Sequence, residues 1–180
     1  MSVRPAPLLL LPPPHHHISR CYYSISLDSD ERKRSKGQSE ESQFIGKVRS
    51  DRKSMEYTLY DDGAAPETKE KGQLRRELLY VNFINSLRNR NPGAMEVVVP
   101  GVDAAGDAVP IRPSAGKDGI QELLKKNDLT SIVPLKNREP KWNPQSNMYQ
   151  LDFNGRATLA SCKNIQLHPK NGADSDVVFL

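Results

Sequence analysis

Cysteine is scarce in this chain of 180 residues: Cys21 and Cys162 are the only two. Two thiols so far apart imply no disulfide framework, and each is expected free and buried in a reducing compartment. Aromatic residues make up 6% and hydrophobic residues 36%, with a mean hydropathy of -0.66, which leaves material for only a small core. Long apolar runs are lacking too. The stretch Leu8–Leu11 is four residues bounded by prolines, too short for a secretory signal or a membrane span. Of four histidines, three are adjacent at 15–17 and one is His168. Neighbouring imidazoles on a proline-rich leader have no fixed geometry for a metal. No Cys–His–Asp spacing suggests a nucleophile, and no glycine loop opening a helix suggests a nucleotide site, so neither enzyme, cofactor nor metal is expected.

What is present is charge, with 26 basic against 22 acidic residues and a net charge of +4. The balance favours anionic partners, either phospholipid headgroups or nucleic acid, without choosing between them. Along the chain, residues 1–19 form a Pro/His/Leu leader expected to be disordered, and residues 20–180 form one domain. Within the domain, residues 29–42 are charged, lack apolar periodicity and read as a mobile loop.

Short stretches with turn residues every ten or so positions give a mainly β, antiparallel domain. The expected strands are 22–27, 43–50, 55–60, 77–84, 95–99, 108–111, 129–135, 148–153, 157–167 and 176–180. Between Asp118 and Asn127 the period changes. Ile120, Leu123 and Leu124 share a helical face, Asp118 is placed to cap with Gln121 three residues on, and Asn127 suits a left-handed stop, so one short surface helix is expected. Asn154-Gly155, two residues tolerant of positive φ after the alternating Tyr149, Leu151 and Phe153, predicts a hairpin turn. Trp142 reads as a packing residue beside the Pro140 turn, and Asn143 and Arg156 fit structural hydrogen bonding as readily as binding.

The most specific segment is N-R-E-P-K-W-N from Asn137, followed by F-N-G-R-A-T-L-A-S-C-K-N-I-Q from Phe153 to Gln166. Upstream, in order, stand Y-S-I-S-L-D from Tyr23, F-I-G-K-V-R-S from Phe44, Y-T-L-Y-D from Tyr57, L-R-R-E-L from Leu74, V-P-G from Val99 and I-R-P from Ile111. Together these segments resemble the carboxy-terminal domain of the Tubby-like proteins over residues 22–180. The resemblance implies a closed antiparallel barrel around an apolar carboxy-terminal helix. Because the chain ends before the residues that match such a helix, an incomplete Tubby-like barrel without a central helix is expected, with inward residues such as Leu151, Phe153 and Leu159 facing a void or water.

The resemblance also implies function. In the family, the positions matched by Lys47, Arg49 and Arg75 bind phosphatidylinositol 4,5-bisphosphate. Alternation in a strand puts Lys47 and Arg49 on one side about 6.6 Å apart, and a forked guanidinium beside a mobile ammonium suits neighbouring ring phosphates. Gly46 beside them reads as room for a headgroup to approach the backbone. Arg52 and Lys53 are expected to add auxiliary membrane contacts. Some family features are absent: Tyr22 stands where an Asn usually helps hold the headgroup, Ser54-Met55-Glu56-Tyr57 replaces G-T-K-F, and Asn91-Pro92-Gly93-Ala94-Met95 replaces a basic G-P-R segment. The reading is therefore a phosphoinositide-binding adaptor without catalysis, peripheral at the cytoplasmic leaflet of the plasma membrane, with nucleus or cilium as alternative places and protein cargo unspecified. The alternatives are a nucleic-acid-binding or transcription-regulatory protein, which needs a continuous basic groove with stacking aromatics, and a truncated fragment without function.

Overall fold

The computed structural model describes residues 21–26, 44–66, 73–84, 93–114, 117–159, 161 and 164–171. The leader 1–19, the charged loop 29–42, Cys162 and the expected strand 176–180 lie outside them. In chain order the elements are β1 (Tyr22–Ser26), β2 (Phe44–Ser50), β3 (Glu56–Tyr60), β4 (Glu77–Ile84), β5 (Ala94–Pro100), α1 (Ile120–Lys125), β6 (Ile132–Asn137), β7 (Lys141–Asn143), β8 (Met148–Gln150) and β9 (Leu167–Pro169). Seven strands form one sheet in the order β1-β2-β3-β4-β5-β6-β9, and β7 and β8 form a separate pair. Every strand pairing is antiparallel. Among the described residues the main sheet is open, with β1 and β9 at its edges. The described residues are thus mainly antiparallel sheet with one short helix, consistent with an incomplete barrel.

Register determines what each face carries, because directly opposed residues point to the same side. One row crosses the sheet through Tyr22, Arg49, Thr58, Tyr80, Val98 and Pro134. Ser24, Lys47, Tyr60 and Glu77 lie beside it on the same face. At its β4 to β6 end this face is covered by α1, where Tyr80, Val98, Ile111, Ile120 and Ile132 form the buried core and Leu123, Leu124 and Leu129 pack around them. The opposite face carries Val48, Leu59 and Leu79 in one row and Tyr57, Val81, Val97 and Leu135 in the next. Hence the cations of β2 and the main core share one face, at opposite ends of it.

The helix lies where the 3.6-residue pattern puts it, but its amino end is built differently. Asp118 has φ 65 and stays outside the helix, while the N-cap is Gly119, which has no side chain of its own to cap with. The first amide, that of Ile120, instead donates to Glu77 Oε2 at 2.7 Å. A Cβ at Gly119 would lie 2.7 Å from the same carboxylate oxygen, so a larger residue there would displace the Glu77 carboxylate. At the other end Asn127 is left-handed at φ 54, and the amides of Asn127 and Asp128 close onto the carbonyls of Leu124 and Leu123, which is the expected stop.

Two expected strands and one expected hairpin are corrected. Residues 108–111 form only isolated bridges, Val102 to Ala108 and Glu77 to Ile111, since Pro110 has no amide to continue a ladder. The strand expected at 129 starts at Ile132, because the Asp128 carboxylate accepts both the amide and hydroxyl of Thr130 at 3.3 and 2.6 Å and bends the chain there. The expected hairpin about Asn154-Gly155 lies earlier. Its strands are β7 and β8, joined through residues 144–147, where Asn143 Oδ1 accepts the Gln145 amide at 2.9 Å and Asn147 takes φ 54. Asn154 and Gly155 do turn, at φ 50 and 75, but the described part of 157–167 does not return along β8. Gln166 Nε2 bonds the Asp152 carbonyl at 2.7 Å, and Gln166 O receives the Arg138 amide, which leads the chain into β9 beside β6.

Leu151 and Phe153 are half-buried, and Leu159 is 80% exposed and outside any strand. Trp142 is half exposed and packs edge-to-face on Tyr149, with ring centroids 5.1 Å apart. Asn143 is tied structurally, donating to Gln150 Oε1 at 2.8 Å. Cys21 is a free, half-buried thiol.

Candidate anion-binding site

The site begins with β2, where Lys47 and Arg49 alternate with the buried Gly46 and Ser50. β1 and β3 flank them. Lys47 faces Ser24 and Tyr60, and Arg49 faces Tyr22 and Thr58. The Arg49 guanidinium carbon lies 5.3 Å from the centroid of the Tyr22 ring and 5.6 Å from that of Tyr60. The Arg75 guanidinium carbon also lies over Tyr60, 4.5 Å from its ring centroid. Tyr22, Arg49, Tyr60 and Arg75 therefore alternate aromatic and cation, each contact within the roughly 6 Å over which a ring face attracts a cation.

Arg75 belongs to no strand, and its backbone is fixed by neighbours. Leu74 bridges to Ala64 in parallel, the Arg75 amide bonds the Ala64 carbonyl at 3.0 Å, and Arg112 donates to the Leu74 carbonyl. Next along the chain, Arg76 donates from its amide to Asp61 Oδ1 and from Nε to Oδ2, both at 2.8 Å. Since Asp61 follows Tyr60 and Arg76 follows Arg75, this clamp sets the ring and the guanidinium against each other. Arg75 is buried at 6% exposure.

The cations have little neutralisation. Arg49 Nε and Arg75 Nε and Nη1 are buried without a hydrogen-bond partner among the described residues. Burial, and then the charges of Arg75 and Arg49, hold the Lys47 ammonium below the usual lysine range. Glu77 is the carboxylate beside them. Burial pushes its pKa up, partly offset by the Ile120 amide, the Tyr60 hydroxyl and Arg75. Buried donors without an acceptor among the described residues, in a cluster of like charge, are the chemistry that an anion with several oxygens would satisfy.

All three residues that the sequence singles out, Lys47, Arg49 and Arg75, meet in this cluster. Arg52 and Lys53 do not enter it. They are exposed in the turn between β2 and β3, where the Asp51 carboxylate accepts the amides of Lys53, Met55 and Glu56. Two expectations change. A Cβ at Gly46 would strike the Tyr60 carbonyl, so this glycine serves close strand packing rather than access for a headgroup. Tyr22 covers one side of Arg49 rather than simply lacking an amide. Tyr60 was missed by motif reading, and its signal was its place two residues after Thr58 on the strand beside β2.

Among the described residues no helix is long and apolar enough to cross a membrane. Compared with known proteins, residues 8–180 match the Tub family. The chain is 38% identical over 141 residues to Tubby-related protein 1 of Mus musculus and, to the same extent, to that of Homo sapiens, covering 76% of this chain and 26% of each relative. It is 35% identical over 131 residues to Tubby protein homolog 1 of Caenorhabditis elegans, covering 69% of this chain and 31% of that protein. The chain thus spans about a quarter to a third of the length of these relatives.

Proposed function

Since this chain belongs to the Tub family, we propose that it is a phosphoinositide-binding module that attaches to the cytoplasmic leaflet of the plasma membrane and serves as an adaptor, not as a catalyst. Lys47, Arg49 and Arg75 take the phosphates of a bisphosphorylated inositol headgroup of the phosphatidylinositol 4,5-bisphosphate type. The observation that carries this reading is the buried Arg75 guanidinium, whose Nε and Nη1 have no hydrogen-bond partner among the described residues while Lys47 and Arg49 crowd the same face.

In this reading Arg75 forms the floor of the site, Arg49 offers a guanidinium whose plane is set by two rings, and Lys47 supplies a point charge that follows the phosphate. Arg52 and Lys53, exposed on the adjoining turn, add general attraction to an anionic leaflet, about 1 kcal/mol for each cation near the surface. A compact cluster at one end of a sheet face suits a headgroup better than a nucleic-acid strand, which needs cations spread along a groove.

Vesicle co-sedimentation tests the proposal. Vesicles of phosphatidylcholine with phosphatidylinositol 4,5-bisphosphate should retain the protein at physiological salt. Vesicles with phosphatidylserine at equal surface charge should retain it far less, and equal retention by both would overturn headgroup recognition.

A further inference from the structure

We infer that Tyr22 is a positioning residue of the anion site: by stacking on Arg49 it holds the guanidinium edge toward the ligand. This rests on the reading of Lys47, Arg49 and Arg75 as a phosphoinositide site. The inference starts from a position on the edge strand that has no evident structural duty. Tyr22 is 54% exposed, an unusual outlay of aromatic surface in a chain with so few aromatic residues.

Its ring is nevertheless in register. Tyr22 opposes Arg49 directly across the β1–β2 ladder, and the guanidinium carbon lies 5.3 Å from its centroid and 5.6 Å from that of Tyr60 on β3. An arginine side chain loses much conformational freedom when it is fixed, and the usual means of fixing it is a carboxylate. A carboxylate would also consume the charge. Two aromatic faces orient the plane and leave the N–H edge free, so the cation is aligned without being neutralised. Arg49 Nε has no hydrogen-bond partner among the described residues, in agreement with this division of labour. Tyr60 supplies one face and is itself fixed against Arg75. Tyr22 supplies the second, and its loss would return Arg49 to solvent on the side of the sheet edge.

Substitutions at position 22 in the full chain, with circular dichroism to verify folding, test the inference through vesicles containing phosphatidylinositol 4,5-bisphosphate. Tyr22→Ala should weaken binding about two- to fivefold, the equivalent of one partly exposed cation–ring contact, and Tyr22→Phe should restore it, because the ring and not the hydroxyl does the positioning. In an Arg49→Gln background, Tyr22→Ala should cost nothing further. A full loss in that background, or failure of Phe to rescue, would overturn the inference.

A second measurement needs no lipid. The Arg49 Nε–Hε resonance should be displaced by ring currents in the wild type and move toward the free-arginine position in Tyr22→Ala. If it stays in place, Tyr22 does not hold Arg49, whatever the vesicles show. If it moves while the wild type ignores the vesicles, the stacking is real and both the lipid reading and the positioning role fall.

Discussion

The Asp61 carboxylate holds Arg76 twice, the arginine donating its amide to Oδ1 and its Nε to Oδ2 at 2.8 Å each. The Gly63 amide also donates to Oδ1 at 3.1 Å, and the Asp61 amide bonds the Arg76 carbonyl at 3.2 Å. These bonds lie one residue beyond Tyr60 and Arg75, so they maintain the ring and guanidinium contact of the site while taking no part in it. Asp61→Ala takes a charged acceptor from the part-buried amides of Arg76 and Gly63 and should cost about 1 to 3 kcal/mol of stability.

The pH dependence of that cost has a definite sign. Burial raises the Asp61 carboxyl, but the Arg76 side chain and the amides of Arg76 and Gly63 outweigh it and hold the group below the usual carboxylate range. Its stabilising effect is therefore complete above the unfolded value of about 3.9 and is lost as pH falls through the folded value. Urea unfolding of wild type and Asp61→Ala should show a gap that is constant near neutrality and closes in acid. A gap that widens in acid would contradict this assignment.

Glu77 carries the opposite sign. Burial raises its pKa more than the Ile120 amide, Tyr60 and Arg75 lower it, so its contribution is fully present below the unfolded value and declines as pH rises through the folded one. Glu77→Gln keeps an acceptor for the Ile120 amide and removes a buried charge, so it should flatten the decline. Glu77→Ala strips the first amide of α1 of its partner and should cost about 1 to 3 kcal/mol. Denaturation midpoints measured across this pH range check both variants.

Core packing gives a prediction separate from the site. Ile120 is fully buried at 0% exposure where α1 meets β4, β5 and β6, against Tyr80, Val98 and Ile132. Ile120→Ala should lower stability by about 2 to 5 kcal/mol through lost burial and the cavity left behind. A value under 1 kcal/mol would show that α1 is not essential to this core.

Much of this was legible in the chain because it rests on local pattern. The alternation of Lys47 and Arg49 with Gly46 and Val48 fixed their shared side, the spacing of Ile120, Leu123 and Leu124 marked the helix face, and Asn127 marked its end. What the sequence hid depends on register and on long-range partners. Nothing near Tyr22 says that it opposes Arg49, because that pairing is set across a segment of more than twenty residues. Nothing near Gly119 says that its capping partner is Glu77 from β4. The hairpin was misplaced for a related reason. Asn154-Gly155 has the turn chemistry, but Asn143 and Asn147 make the earlier turn that the strands use.

The charge state of Lys47 offers a direct view of ligand binding. Its ammonium lies below the usual lysine range through burial and the charges of Arg75 and Arg49. A polyphosphate placed among them favours the charged form, so the Lys47 pKa should rise on binding. Affinity should accordingly be full below the free-state value and fall as pH rises past it. Titration of the Lys47 Nζ resonance with and without a soluble inositol bisphosphate measures both values, and an unchanged or lower pKa in the complex would place Lys47 outside the contact.

The central claim is that Lys47 and Arg49, on one face of β2 above Arg75, bind the headgroup as a unit. The double substitution Lys47→Ala with Arg49→Ala tests it in sedimentation with phosphatidylinositol 4,5-bisphosphate vesicles at physiological salt. With about 1 kcal/mol lost for each cation near an anionic leaflet, binding should weaken about thirtyfold or more. Retention of wild-type binding by a folded double variant would contradict the account.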